Sequence, residues 1–347
     1  MTWRRWCSPR CRTGRAPASS SPATARERRA VARLRPGRTA ISSSGTYRHL
    51  LLLVFLASLW SSSFAAIKIG VGTIPPLTLA AGRIGLAAVV LYAFVALKGQ
   101  RLPRSRRVWT LFFLIGILGN GLPFTLIAWG EERIDSGLAA ILMAVMPLAT
   151  MLLTHAFTED ERLTAPKAIG VAIGFAGVVL LVGPEALGGL GGTVWRQLAV
   201  AGGALCYAVA ATIARSLPPS PPAVRGAAVM MCAAVQMIPF ALLVDAPWTL
   251  SPSPGSLAAV VYLGLLPTAL ATIIFFQLIS ARGATFVALN NYLIPALGVI
   301  WGAVVLGERI SLPALGALAV ILAGIGITNL RPRLTRTAPP GVRRRRP

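Results

Sequence analysis

One passage of the chain is written twice, and this duplication decides the fold. Residues Leu306–Thr328 read "LGERISLPALGALAVILAGIGIT", and Glu159–Val182 read "EDERLTAPKAIGVAIGFAGVVLLV". In each copy a Glu-Arg pair and a hydroxyl residue precede a proline, and a Gly- and Ala-rich apolar segment follows. A hydroxyl cap with proline in the first turn is ordinary helix-start chemistry, so each copy predicts a turn that leads into a helix.

The duplication extends beyond these two passages. At an offset of 147 residues, "LASLWSSSFAAIK" (Leu56–Lys68) lies over "GALCYAVAATIAR" (Gly203–Arg215), and Trp60 then meets Tyr207. At an offset of 148 residues, two further landmarks match: Gly116 with Gly264, and Pro147 with Pro295. The chain is therefore two copies of one unit.

Composition sets the class of the protein. Charged residues make up 13% of the chain, against about 25% in a soluble chain, and the mean hydropathy is +0.70. Apolar runs of about 20 residues are long enough to cross a bilayer as helices, and they lack the alternation of a membrane barrel. We predict an all-α polytopic membrane protein with ten transmembrane helices, at about 50–69, 77–97, 108–129, 137–157, 167–183, 196–214, 224–244, 256–278, 285–306 and 312–330.

An odd number of helices in each unit decides their relative orientation. The first unit spans 50–183 and the second 196–330, with five predicted helices each. The second unit must then insert upside down, so the two form an inverted repeat. Inverted repeats are typical of carriers that work by alternating access, with the substrate near the midplane.

The positive charges indicate which side each loop faces. The net charge is +24, and with the N-terminus in the cytoplasm 29 Lys and Arg residues lie inside and three outside. This asymmetry follows the positive-inside rule and predicts a cell-membrane protein with both termini in the cytoplasm. The basic inner loops are better suited to anionic lipid than to nucleic acid, which we do not expect as a partner.

The two tails lie outside the repeated units. Residues 1–49 and 331–347 are basic and poor in apolar residues, and they predict disordered cytoplasmic segments. The Arg- and Ser-rich start is also compatible with an organelle transit peptide or an over-extended gene start. Cys7 and Cys11 have no companion metal-binding pattern, so we expect neither a metal site nor a cofactor.

The residues of the first two spans resemble a known family. "WSSSFAAIKIG" and "IPPLTLAAGRIGLAAVVL", together with the two Glu-Arg turns, are similar to the EamA-type branch of the drug/metabolite transporter superfamily. The resemblance covers about residues 50–330 and implies ten helices, cytoplasmic termini and carriage of small metabolites, often outward. Ser62 and Ser63 stand where the family often has a Ser-Asn pair.

Of the charged residues in the sequence, only Arg83 lies clearly inside a predicted span. Ionisable groups at such depth usually face a cavity or a partner. The planar guanidinium suits a carboxylate or phosphate on a substrate. Alternatively, the side chain extends to the interface or pairs with a carboxylate on the same side: Glu131, Glu132, Asp135 or Glu308. The aligned position of the second unit holds Met230.

Other polar residues inside the spans are candidates for lining a substrate cavity. Trp60 and its counterpart Tyr207 each offer an apolar face with one donor. Ser62 and the adjacent serines are equally compatible with helix packing. Asn120 precedes Gly121 and Pro123, where we expect the helix to bend.

The ninth span adds adjacent amides. Asn290 and Asn291 point about 100° apart on a helix, so one is expected to line the cavity while the other bonds a neighbouring helix. Gln277 in the eighth span is a weaker candidate. These predicted substrate-binding residues are thus Arg83, Trp60, Ser62, Asn120, Tyr207, Gln277, Asn290 and Asn291.

Charged residues at the ends of spans are candidates for gates. Lys68 is compatible with an interfacial anchor or a gate. The pairs Glu161-Arg162 and Glu308-Arg309 are compatible with structural turns or with ion pairs that exchange between two conformations. The small residues of the fifth and tenth spans suit close helix packing, within the bundle or in a homodimer.

The motifs that are missing narrow the function. No carboxylate lies near the middle of a span, which argues against a pump built on a buried acid. The chain has neither a phosphate-binding Gly-Lys-Ser/Thr loop nor a nucleophile-base set, so we do not expect an enzyme. The sequence favours a secondary carrier of a small polar or amphipathic metabolite. A non-transporting, lipid-interacting scaffold or accessory subunit is the alternative, and a channel is disfavoured.

Overall fold

The computed structural model describes residues 43–157, 164–187 and 192–328, and all regular structure in these ranges is helical. We number the helices α1 to α10 in chain order. Their bounds are α1 Ser43–Gly70, α2 Pro76–Leu97, α3 Arg106–Glu131, α4 Ser136–Leu142 with Val145–Phe157, α5 Ala165–Leu187, α6 Gly192–Ala214, α7 Pro222–Asp245, α8 Pro254–Arg282, α9 Ala284–Val287 with Asn290–Leu306, and α10 Leu312–Thr328.

Seven of these helices are long and apolar enough to cross a membrane: α1, α2, α3, α4, α6, α7 and α8. Three shorter apolar helices lie at Ala165–Leu181, Asn290–Leu306 and Leu312–Thr328. The chain is therefore a multi-pass membrane protein built from helices. The helices coincide with the apolar runs of the sequence because a bilayer leaves the backbone of each run no partner outside its own helix.

Two helices change their winding at matching places. Within α3, Ile117–Gly121 forms a π-helical segment, and within α8 Gly264–Leu270 does the same. The first segment lies just before Pro123 and the second contains Pro267. Because proline cannot donate to the carbonyl four residues earlier, the local hydrogen-bonding pattern must change. The expected bend at Asn120 is a π-helical segment in the structure.

Helices from the two halves of the chain pack against each other. Helix α2 packs on α7, α3 on α6, α4 on α9 and α5 on α10. Apolar residues of α1, including Leu53 and Leu56, pack on α8 residues that include Ile274 and Leu278. Each half therefore buries its helices against the other half, which brings residues from both to the centre of the bundle.

Glycines allow α5 and α10 to approach closely. A Cβ on Gly170 would lie 2.6 Å from the carbonyl oxygen of Gly324, and one on Gly324 would lie 2.5 Å from the backbone nitrogen of Gly174. Both distances are below a normal contact, so only glycine fits. Gly170, Gly174 and Gly324 thus pack within the bundle, whereas nothing lies within 4 Å of a Cβ on Gly316.

Two spans are less regular than expected. Helix α4 is interrupted at Met143–Ala144 and α9 at Ala288–Leu289. The expected Ser311 cap is present, since its Oγ accepts from the N–H of Ala314 at 3.3 Å. The predictions for residues 1–42 and 329–347 and for the Glu161-Arg162 turn lie outside the described residues, whereas residues 43–49 of the predicted disordered tail are helical and belong to α1.

Candidate functional site

Arg83 lies inside the bundle. Its side chain, on α2, is 4% exposed. Its Nη2 donates to Thr268 Oγ1 on α8 at 3.0 Å, and Nε lies 3.3 Å from the same oxygen. The Thr268 hydroxyl in turn donates to the carbonyl of Leu263 at 2.7 Å. The guanidinium therefore does not extend to the interface, and a neutral hydroxyl is its hydrogen-bond acceptor.

Aromatic rings cover the guanidinium on another side. The Cζ atom of Arg83 lies 3.8 Å from the ring centroid of Phe124 on α3. The Phe124 ring meets Tyr207 of α6 edge-on, with centroids 6.4 Å apart. A cation over an aromatic face is attracted by the ring quadrupole, and burial strengthens this attraction. Arg83 and Tyr207, 124 positions apart in the sequence, thus belong to one cluster.

The two π-helical segments supply polar residues at equivalent positions. With the offset of 148 residues that aligns Gly116 with Gly264, Asn120 aligns with Thr268. Both side chains are buried, at 8% and 3% exposure. π-Helical segments inside α-helices are frequent at functional sites. Each half therefore contributes one polar side chain from an irregular turn.

A second cluster joins α1 to α8. Trp60 packs against Phe275, with ring centroids 5.5 Å apart. The Oγ of Ser62 and the hydroxyl of Tyr262 share a hydrogen bond of 2.7 Å. The repeat alignment relates α1 to α6 and α8 to α3, so the α3–α6 contact between Phe124 and Tyr207 joins the two halves at the corresponding pair of helices.

The amides of the eighth and ninth spans differ in their surroundings. Asn290 is 2% exposed, and among the described residues its amide oxygen and nitrogen have no hydrogen-bond partner. Asn291 is half-buried, and Gln277 lies on the exposed surface of α8. Of the three amides, Asn290 has the strongest need for a polar partner.

One end of the bundle is tied by polar contacts between the halves. We call it the latch end and define it by the turns 71–75, 132–135, 246–253 and 307–311. Asp245 Oδ2 accepts from the N–H and hydroxyl of Thr78, at 2.9 and 2.7 Å. Thr73 Oγ1 donates to Ser256 Oγ at 2.7 Å. These bonds hold α2 to α7 and α8.

Glu308 and Lys68 contribute to the same end. Glu308 Oε1 accepts from the N–H of Ser136 at 2.8 Å, and Oε2 accepts from the Ser136 hydroxyl at 2.9 Å and from the N–H of Gly137 at 3.0 Å. Lys68 Nζ donates to the carbonyl oxygens of Glu131 and Ile134, at 2.7 and 2.8 Å. Arg309 is exposed and lines a surface groove.

Two adjacent glutamates at the end of α3 have opposite environments. Glu132 forms an ion pair with Arg196, whose guanidinium also lies over the ring of Trp129. Glu131 is 0% exposed, and neither carboxylate oxygen has a hydrogen-bond partner among the described residues. Glu131 is the last residue of α3, so its burial leaves intact the prediction that no carboxylate lies near the middle of a span.

Sequence reasoning missed three residues of these clusters, Thr268, Phe124 and Tyr262, and it named Glu131 only as one possible partner of Arg83. The repeat alignment contained a signal for Thr268, since it is the counterpart of Asn120. Glu131 sits in the polar run Glu131-Glu132-Arg133, which is indistinguishable from a solvated turn. The sequence does not distinguish Phe124 and Tyr262 from the other aromatic residues of the spans, because their contacts depend on how the helices pack.

A model of the EamA-like transporter family matches the chain at residues 48–183 and again at 194–330. The chain is 28% identical to "Uncharacterized inner membrane transporter YedA" of Escherichia coli K12, over 80% of this chain and 89% of the relative. It is 28% identical to "Probable terminal-alkyne amino-acid exporter" of Streptantibioticus cattleyicolor, over 80% of this chain and 92% of that protein.

The fold is also similar to that of a solved protein. A crystal structure titled "Crystal structure of protein" superposes with a TM-score of 0.59 at 24% identity, and the match covers 80% of this chain and 97% of that chain. At this level of identity the match concerns the fold alone.

Proposed function

Because this chain belongs to the EamA-like transporter family, we propose that it is a secondary carrier that exports a small amphipathic metabolite bearing a carboxylate. Membership in the family makes it a membrane transporter. The finer claims, which are export, a carboxylate substrate and alternating access, are inferred from the chemistry described above.

The proposed architecture has ten membrane crossings in two inverted units of five. Seven long apolar helices and three shorter ones support this number. The two family matches fall on successive halves of the chain. The matched π-helical segments support a repeated unit as well, and an odd number of crossings per unit requires the second to be inverted.

The observation that carries the substrate class is the environment of Arg83. Its charge is buried, yet its hydrogen bonds go to the neutral hydroxyl of Thr268 and its face rests on Phe124. A carboxylate on a substrate would supply a planar, charged acceptor for a guanidinium in this position. The unpartnered amide of Asn290 is suited to a second polar group of the substrate.

The apolar part of the substrate would lie against aromatic rings. Phe124 and Tyr207 border Arg83, and Trp60 packs with Phe275 on the neighbouring helix pair. The name of the Streptantibioticus relative specifies an amino-acid exporter. An amino acid with an apolar side chain combines a carboxylate, a second polar group and an apolar body, so it is the first substrate class to test.

Transport by purified protein in liposomes tests the proposal. Vesicles loaded with one apolar amino acid should take up the labelled amino acid by counterflow, with saturation. Arg83→Ala should abolish this uptake, whereas replacement of the exposed Arg133 by Ala should leave it intact. Unchanged affinity in Arg83→Ala would refute the carboxylate contact.

Two other outcomes identify the alternatives. A membrane scaffold or accessory subunit would give no flux for any metabolite in the panel. A channel would give flux without saturation or counterflow stimulation.

A groove lined by Arg101, Arg104 and Tyr92 suits the headgroup of an anionic lipid, which we propose as a partner at this basic loop.

A further inference from the structure

We propose that Glu131 is a proton-binding site, and that its protonation holds the latch end of the carrier closed. The inference deepens the proposed function and rests on it, because it concerns the gate of an alternating-access carrier. The ligand is a proton from the water at the latch end. It adds to one carboxylate oxygen to give the neutral acid, with no other bond made or broken.

The first argument is the isolation of the carboxylate. Glu131 is 0% exposed, and both of its oxygens are without hydrogen-bond partners among the described residues. The adjacent Glu132 pairs with Arg196, and Glu308 accepts three hydrogen bonds. Because an ionised carboxylate in an apolar interior is far more costly than a neutral acid, this arrangement favours the protonated form.

The surrounding charges do not replace the missing partners. Lys68 on α1, Arg83 on α2 and Glu308 after α9 are all within electrostatic reach of Glu131. The Lys68 ammonium donates to backbone carbonyls and the Arg83 guanidinium to Thr268, so neither charged group donates to the carboxylate. The negative charge of Glu308 opposes ionisation.

The remaining ionisable groups near this point are engaged or lie at the surface. From α6, Arg196 is paired with Glu132, and Tyr207 lies beside the Arg83 cluster. Asp135, in the turn that follows α3, is exposed. None of these groups supplies Glu131 with a counter-charge in contact.

The second argument is the close packing that buries the carboxylate. A Cβ on Gly130 would clash with the Val200 side chain and lie 2.9 Å from the carbonyl oxygen of Arg196, so α6 packs directly on the end of α3. Lys68 binds the carbonyl of Glu131 itself. The Glu131 carboxylate is therefore shielded from water only while the two halves stay in contact at the latch end.

Linkage then fixes the direction of the effect. Separation of the halves at the latch end would bring water to Glu131 and stabilise its ionised form. A proton therefore favours the closed arrangement, and loss of the proton favours opening. For one site, the ratio of closed to open molecules changes by at most tenfold per pH unit.

Distance measurements in liposomes test this without knowledge of the substrate. Spin labels would be attached to cysteines that replace Gly72 and Trp248, two exposed residues of the latch end, one in the turn after α1 and one in the turn after α7. The background would lack the native cysteines at positions 7, 11, 206 and 232. From pH 5 to pH 9, we expect a short distance to give way to a longer one, with a slope of up to tenfold per pH unit.

The matched variants decide the assignment. Glu131→Gln should keep the short distance at every pH, whereas Glu132→Gln should titrate like the parent. Glu131→Asp retains the carboxylate and should still titrate, which covers the case in which the amide variant does not fold. Titration of Glu131→Gln like the parent, or dependence on sodium concentration at fixed pH, would overturn the proposal. Absence of transport with intact titration would refute only the proposed function.

Discussion

The carboxylate of Glu308 caps the helix that begins at Ser136, although 172 residues separate the two in the sequence. It accepts from the N–H and the hydroxyl of Ser136 and from the N–H of Gly137. A carboxylate at this position satisfies free N–H groups and interacts favourably with the helix dipole. The Glu-Arg turn of the second half thus caps a helix of the first half. This contact supports a structural role for the turn, and it also connects the two halves at the latch end.

Replacement of Glu308 by Ala should destabilise the protein because it removes three hydrogen bonds to a charged acceptor. We expect a loss of about 2 kcal/mol, from about 1 kcal/mol for a helix cap and a similar amount for the remaining contacts. Thermal unfolding in detergent would measure this as a fall in Tm of several degrees. Arg309→Ala is the control, since Arg309 is exposed. Equal Tm values for the two variants would contradict the capping role.

Replacement of Gly324 by Ala should separate α5 from α10. The new methyl group would lie 2.5 Å from the backbone nitrogen of Gly174, and a backbone atom cannot move aside without shifting a helix. Overpacking of this kind costs about 1–3 kcal/mol. The same helix offers a control in Gly326→Ala, because nothing lies within 4 Å of a Cβ there. The Tm should fall for Gly324→Ala and stay unchanged for Gly326→Ala.

Much of the fold could be predicted because the bilayer sets both the length and the composition of a crossing helix. The close seam near Gly170 and Gly324 followed from the same reasoning, since small residues let helices approach. Exact winding could not be predicted, because a π-helical segment depends on how the groups freed by Pro123 or Pro267 find partners. The interruptions of α4 and α9 were not predicted either, because no pattern in the sequence indicates them.

The candidate site was predicted only where chemistry alone singles a residue out. A charge at the depth of Arg83 is unusual whatever surrounds it, so the sequence identified it. Glu131 shows the opposite case, because its burial depends on α6 packing against Gly130, a tertiary contact without any local signature. Thr268 is an intermediate case. Its residue type alone does not single it out, but the repeat alignment places it opposite Asn120, which the sequence did identify as a candidate.

Removal of the Thr268 hydroxyl should weaken substrate binding without loss of the fold. Thr268→Val keeps the shape of the side chain but leaves Arg83 without the acceptor that orients it. A hydrogen bond to a charged group contributes about 1.5–3 kcal/mol, which corresponds to a rise of roughly tenfold or more in the half-saturating substrate concentration. Counterflow in liposomes would measure it. Thr268→Ser retains the hydroxyl and should behave like the parent, so an equal loss in both variants would point to packing instead.

Inversion of the two units predicts that the turns at Arg162 and Arg309 face opposite sides of the membrane. Single cysteines at these positions, in a chain without native cysteines, would be treated with a membrane-impermeant maleimide in intact bacterial cells. We expect labelling at position 309 alone, and labelling at position 162 only after the cells are opened. Cysteines that replace Arg133 and Arg101 mark the expected outer and inner surfaces and calibrate the assay. Because each unit contains an odd number of proposed crossings, labelling of both turns from the same side would require an even number and would exclude alternating access by inverted halves.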